Sequence, residues 1–60
     1  MKPVCETDAD GDKSWYLNGK LHRIDGPAIE YADGDKSWYL NGERHAFEEW
    51  DRLRKLLWTL

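Results

Sequence analysis

The sequence predicts an α+β fold, an antiparallel β-meander of about six short strands built from 23-residue repeats and capped by one C-terminal amphipathic helix. Three observations carry this expectation. Ala9 to Gly19 reads ADGDKSWYLNG, and Ala32 to Gly42 repeats those eleven residues at an offset of 32 − 9 = 23. Each copy holds an Asp-Gly and an Asn-Gly turn signal, so a 23-residue unit fits two strands and is too short for a pair of helices. After Ala46 the turn residues stop, and AFEEWDRLRKLLWTL contains neither Gly nor Pro.

The elements follow in order. Strands are expected near residues 4–9, 12–17, 20–24, 28–32, 35–40 and 43–46, with a helix over 47–60. The chain is one domain over 1–60, the repeat meander at 1–46 and the helix at 47–60. Val4 to Asp8 stands where Pro27 to Tyr31 stands one unit later, which makes the N-terminus a degraded half unit. Two-residue type I′ turns are expected at Asp10-Gly11, Asn18-Gly19, Asp33-Gly34 and Asn41-Gly42, because Gly and Asn or Asp tolerate positive φ. The fifth connection, Asp25-Gly26-Pro27, is a longer turn whose proline, lacking a ladder donor, begins a strand.

Such turns set a register. Around the Asn-Gly turns Leu17 faces Lys20, Tyr16 faces Leu21, Trp15 faces His22, Trp38 faces His45 and Tyr39 faces Arg44. Around Asp33-Gly34 the same logic sets Tyr31 against Lys36 and Ile29 against Trp38. Alternation then places Trp15, Leu17, Ile29, Trp38 and Leu40 on one side of the sheet as the core, and Tyr16, Leu21, Ala28 and Tyr39 on the other.

In the helix Ala46, Trp50, Leu53, Leu57 and Leu60 recur at spacings of 4, 3, 4 and 3, widened by Leu56. Glu48-Arg52 and Asp51-Lys55 are i,i+4 pairs, and early acids with later bases complement the helix dipole. No Ser, Thr, Asp or Asn stands at the expected N-cap, which leaves the helix start open by a few residues. Phe47 and Trp58 fall on a second flank beside Arg54, with no partner apparent within the chain.

Composition narrows the functions. With 60 residues, 9 Lys+Arg against 12 Asp+Glu and a pI near 5.2, the chain lacks the basic face that nonspecific nucleic-acid binding needs. A single cysteine, Cys5, excludes an internal disulfide and a cysteine-built metal site, and suits a reducing compartment such as the cytoplasm. Neither a membrane span nor a signal-peptide core is visible.

No constellation points to catalysis. Asp8, Asp10 and Asp12 suggest a calcium loop, but Gly11 and Gly19 stand where that loop needs other spacing, and Tyr31 replaces Asp8 in the second copy. His22 and His45 lack a ligand or base motif and read as repeated Trp-His packing pairs. Cys5 has no activating base and reads as a small strand residue. The expectation is a non-enzyme with no cofactor and no metal.

What remains is surface. A 14-residue helix is about 21 Å long while six strands span about 24 Å, so one helix covers one face of the sheet. Tyr16, Tyr39, Arg44, Phe47 and Trp58 are therefore the candidate partner-binding residues, in line with the Trp, Tyr and Arg bias of interface hot spots. A membrane-lying helix is not expected, because residues 47–60 balance three acids with three bases.

The runs Trp15-Tyr16-Leu17-Asn18-Gly19, His22-Arg23-Ile24-Asp25-Gly26-Pro27-Ala28 and Trp38-Tyr39-Leu40-Asn41-Gly42 resemble the W-Y-x-N-G and H-R-x-D-G-P-A tandem repeats of small bacteriophage and giant-virus proteins, distantly like MORN repeats. The resemblance covers Asp10 to His45, about three fifths of the chain. It implies hairpin repeats in an extended sheet and a phage-type product, and it carries over no catalytic residue. The second unit departs from the pattern at Glu43-Arg44-His45-Ala46, where the helix begins as a cap. The functional expectation is a binding protein, an inhibitor of a host enzyme or defence system in the manner of an anti-CRISPR, working in the host cytoplasm. The alternatives are an assembly module whose role is homodimerisation or larger self-association, and an acidic mimic of nucleic acid built on Asp8, Asp10, Asp12, Asp33 and Asp35.

Overall fold

A computed structural model describes residues 3–58, the side chain of Trp58 excepted. Six strands, β1 (Val4–Thr7), β2 (Lys13–Leu17), β3 (Lys20–Leu21), β4 (Ile29–Glu30), β5 (Lys36–Leu40) and β6 (Glu43–His45), precede one helix, α1 (Phe47–Trp58). All pairings are antiparallel, in the order β1-β2-β4-β5-β6, with β3 also on β2. The antiparallel sheet and its C-terminal helix are as the sequence predicts. Among the described residues, no helix is long and apolar enough to cross a membrane.

The Asn-Gly turns are two-residue hairpins. Asn18 and Asn41 have φ of 54° and 53°, followed by Gly19 and Gly42 at 79° and 85°, the left-handed pair that a type I′ turn requires. Their registers are the expected ones, with Leu17 opposite Lys20, Tyr16 opposite Leu21, Tyr39 opposite Arg44 and Trp38 opposite His45.

The Asp-Gly turns differ from expectation. Tyr31 N–H donates to Asp35 O and Gly34 N–H to Tyr31 O, and Asp8, Gly11 and Asp12 repeat that pattern. Only the glycines take positive φ, 90° at Gly11 and 99° at Gly34. This is a three-residue loop, a type I turn closed by a left-handed glycine bulge. The extra residue slips the expected register by one, so Ile29 faces Ser37 rather than Trp38, and Lys36 faces Glu30 rather than Tyr31. A one-residue slip exchanges faces. Ile29 therefore shares the side of Tyr16 and Tyr39, while Ala28 joins Trp15 and Trp38.

The third and fourth strands differ too. Instead of lying side by side, β3 and β4 share one edge of β2, and residues 22–28 leave the sheet between them. Trp15 marks the junction, since its C=O accepts His22 N–H at 3.0 Å and its N–H donates to Ala28 O at 2.8 Å. Residues 21–23 also meet β5 and the turn after it, with Arg23 N–H on Tyr39 O, Gly42 N–H on Leu21 O, and Asn41 N–H on His22 Nδ1 at 3.0 Å.

The helix lies on the tryptophan side. Trp50 N–H donates to Ala46 O, so Ala46 occupies the N-cap without a capping side chain. Trp50, 3% exposed, tilts against Trp38 at 5.9 Å, and its indole N–H donates to Arg23 O at 2.9 Å. Asp51 pairs with Lys55 at 3.2 Å as expected and with Arg54 at 2.9 Å, whereas Glu48 and Arg52 make no ion pair among the described residues. The Arg54 hydrogen bond, then Lys55, holds the Asp51 carboxyl below its ordinary range. The expected stripe is only partly used, because Leu56 and Leu57 stay 62% and 39% exposed, and Leu60 lies outside the described residues. The apolar core of the described residues is correspondingly thin, with Ala28, Leu40 and Trp50 its buried members.

Candidate functional site

Three regions gather chemistry, and the densest surrounds Arg23. Its Cζ stands 3.8 Å over the Trp15 ring. Nε donates to Asp25 Oδ1 at 2.8 Å, and Nη1 donates to Glu30 Oε2 at 3.0 Å and to Pro27 O at 3.1 Å. The planar fork thus closes the 22–28 loop on itself while one face stacks on an indole, a combination an ammonium cannot make. The Arg23 hydrogen bond draws the Asp25 carboxyl below its ordinary range. Gly26 lets the guanidinium come close, because a Cβ there would stand 2.8 Å from Arg23 Cζ and displace it. Arg54 completes the dock, donating to Ile24 O at 3.3 Å with its Cζ 5.1 Å from the Trp50 ring. Arg23, Trp50 and Arg54 thus tie the loop to the sheet and to the helix, so the loop is a clasp between them.

The histidines take separate roles. His22, 8% exposed, accepts Asn41 N–H on Nδ1, and burial lowers its pKa from the ordinary value. His45 is half-buried opposite Trp38, with Nδ1 2.5 Å from Glu49 Oε1. They stand in different hydrogen-bond networks and share no ligand set.

The acidic turn is the second region. Carboxylates of Asp8, Asp10 and Asp12 come within 4.8 Å of one another. Asp8 Oδ1 accepts the N–H groups of Asp10 and Asp12, and Asp12 Oδ1 accepts Ala32 N–H at 2.7 Å, which ties the two Asp-Gly turns together. These bonds fix turn geometry. Glu6, Thr7, Asp8, Asp12, Ser14 and Tyr16 line a groove of about 240 Å³ beside this turn.

The third region is apolar surface. Tyr16 and Tyr39 share one face with Val4, Leu21, Ile29 and, through its pairing with Tyr39, Arg44. Both tyrosines are half-buried and Arg44 is exposed. Phe47 lies on the opposite side and is not the unpartnered flank residue the sequence suggests. It meets Trp38 edge-on at 5.0 Å and Trp50 at 5.9 Å, although 51% exposed. The fifth candidate, Trp58, lies outside the residues whose side chains are described. On the helix side, Leu40, Asn41, Glu43, His45, Leu53, Leu56 and Leu57 line an open groove of about 300 Å³.

Sequence reasoning missed the roles of Arg23, Arg54 and Trp50 as clasp residues. The signal was present in Arg23 and Gly26 within one turn, but Trp50 stands 27 positions from Arg23, and Arg54 stands 30 from Ile24, along the chain. Comparison with protein-family models, with curated proteins and with solved structures finds no match to this chain.

Proposed function

We propose that the chain acts without catalysis, by binding another protein through the Tyr16–Tyr39 face of its sheet. The supporting observation is that the two faces are covered unequally. Helix α1 packs on Trp38 and the 22–28 clasp on Trp15, whereas Tyr16, Leu21, Ile29 and Tyr39 share the other face with Arg44 at its border. Aromatic residues with an arginine at the rim are the composition of interface hot spots. Tyr16 and Tyr39 are half-buried, so part of each stays open to a partner.

The architecture is read as two 23-residue units, since Glu6↔Ser14 and Tyr16↔Leu21 recur as Ile29↔Ser37 and Tyr39↔Arg44. The resemblance to phage-type repeats supplies the target class, a host enzyme or defence protein met in the host cytoplasm and inhibited by occlusion. Self-association is the second reading, favoured by Leu57 standing exposed in the helix groove and by Phe47 standing exposed on Trp38. Nucleic-acid mimicry ranks third, its support being the adjoining Asp-Gly turns.

The test is quantitative affinity capture from host lysate with the wild type, with Tyr39→Ala/Arg44→Ala, and with Phe47→Ala, alongside solution mass across a dilution series. A partner lost with the double variant and kept with Phe47→Ala supports the reading. Recovery of nothing above background, or equal recovery by all three, overturns it.

A further inference from the structure

β1 and β4 hold equivalent places, one in each unit. Glu6↔Ser14 and Thr7↔Lys13 recur as Ile29↔Ser37 and Glu30↔Lys36. In an antiparallel ladder, successive residues turn their backbone groups to alternate sides. Because Asp8 N–H donates to Asp12 O, Glu6 and Val4 turn theirs toward β2, and Cys5 and Thr7 turn theirs outward. The residues 23 positions on from Cys5 and Thr7 are Ala28 and Glu30, and these are bonded. Trp15 N–H donates to Ala28 O at 2.8 Å, and Glu30 is the ladder partner of Lys13. The same edge is thus filled by a strand in one unit and open in the other.

Among the described residues, no strand pairs with the outward groups of Cys5 and Thr7, and all four residues of β1 are exposed, Val4 at 65%. The strand carries no lysine and no bulge, and its one charge, Glu6, deters only strands of like sign. The opposite edge is guarded, because β6 has three residues, two of them Glu43 and Arg44, and leads directly into α1.

We propose that the outer edge of β1 docks an extended basic segment of another protein, which adds antiparallel as a further strand. Charge selects the occupant. Glu6 and Asp8 stand along the strand, Asp10 and Asp12 follow at its end, and the groove beside it is lined by Glu6, Asp8 and Asp12. Where β2 fills the equivalent edge it sets Lys13 against Glu30, so an acid-base cross-strand pair is the arrangement this fold already uses. A second copy fits poorly. Pairing β1 with itself about Glu6 opposes Glu6 to Glu6, pairing about Thr7 opposes Glu6 to Asp8, and pairing about Cys5 sets Thr7 against Pro3, which has no N–H. The occupant therefore carries Lys or Arg opposite Glu6 and an apolar residue opposite Val4, beside Tyr16. This is strand addition, in which backbone bonds supply affinity and alternate side chains supply choice.

The probe is the capped peptide Lys-Thr-Lys-Thr-Val-Thr, which sets Lys opposite Asp8 and Glu6 and Val opposite Val4, with Glu in place of Lys in its acidic counterpart, added at millimolar concentration to isotope-labelled protein. Amide hydrogen exchange at Cys5 and Thr7 should slow roughly threefold or more with the basic peptide and stay unchanged with the acidic one. Thr7→Pro removes the outward N–H while sparing every bond to β2, so it should keep the fold and lose the protection. Glu6→Lys should reverse the preference between the peptides. Equal response to both peptides, protection only elsewhere, or none at all overturns the proposal. So does protection at Cys5 and Thr7 that grows with protein concentration in the absence of peptide, which would make the occupant a second copy. These readouts are separate from the Tyr39 and Arg44 variants, so failure here and failure of the Tyr16–Tyr39 reading are distinguishable.

Discussion

Substitution of Gly26 by alanine should change sign with the residue at position 23. Gly26 lies outside the left-handed region, so its backbone suits any residue, and the one obstacle to a Cβ is the Arg23 guanidinium, with Cζ at 2.8 Å, Nη2 at 3.0 Å and Nε at 3.1 Å. Ordinary contact begins at 3.4 Å, so the guanidinium must withdraw by 3.4 − 2.8 = 0.6 Å. It is not a loose end, being held by Trp15, Asp25, Glu30 and Pro27 O. The indole contact is worth about 0.5–2 kcal/mol and the hydrogen bond from a charged donor to Pro27 O about 1.5–3 kcal/mol, while the pair with largely exposed Asp25 sits near the bottom of a range of about 0.2–1 kcal/mol. Weakening these in part makes Gly26→Ala cost about 1–2 kcal/mol. With Arg23→Ala the obstacle is gone, and Gly26→Ala should stabilise by about 0.4–1 kcal/mol by restricting the unfolded chain. The coupling in the double-mutant cycle is then about 2 kcal/mol. Urea titration followed by tryptophan fluorescence measures all four proteins, with an osmolyte present to keep the Arg23→Ala pair folded. The same sign of Gly26→Ala in both backgrounds would refute the account of the clasp.

Trp50→Phe keeps an aromatic ring but removes the N–H that satisfies Arg23 O, and should cost about 1–3 kcal/mol in the same titration. Asn41→Ala forces alanine into a φ of 53° and should destabilise by about 1 kcal/mol, whereas Asn41→Gly should be neutral or better. His22 supplies a pH dependence. Its folded pKa is lowered by burial, so the unfolded chain binds the proton more readily, and the stabilisation is complete above the ordinary value of 6.5 and lost as pH falls below it toward the folded value. Denaturation midpoints between about pH 5 and 7 should fall for the wild type, and His22→Asn, whose oxygen can accept Asn41 N–H, should flatten that component.

Legibility followed the range of the determining contacts. The Asn-Gly hairpins were readable because both turn residues must adopt positive φ, a demand the dipeptide itself expresses. The Asp-Gly turns misled because only the glycine is left-handed there; the preceding Ala-Asp belongs to a three-residue loop, and the slip moved Ile29 and Ala28 to opposite faces. Tyr16 and Tyr39 share a face as expected, since their alternation is counted from the Asn-Gly turns. Phe47 was misplaced because its partner, Trp38, is set by how the helix crosses the sheet, which no local spacing encodes. The clasp was hidden for the same reason, Trp50 and Arg54 reaching it from another element.

Trp15 and Trp38 lie in eleven identical residues, yet one rests beneath Arg23 and the other beneath Phe47 and Trp50. An unfolded chain therefore carries two interchangeable copies of one strand, and Ile29-Glu30, which in the folded protein pairs with both, has no local means of telling them apart. Exchange of whole units between two molecules would preserve the ladder on each side, so refolding at high concentration should trap domain-swapped dimers. What assigns each strand its place is the residue that settles on its tryptophan, and weakening the Arg23 contact should raise the swapped fraction before it unfolds the monomer.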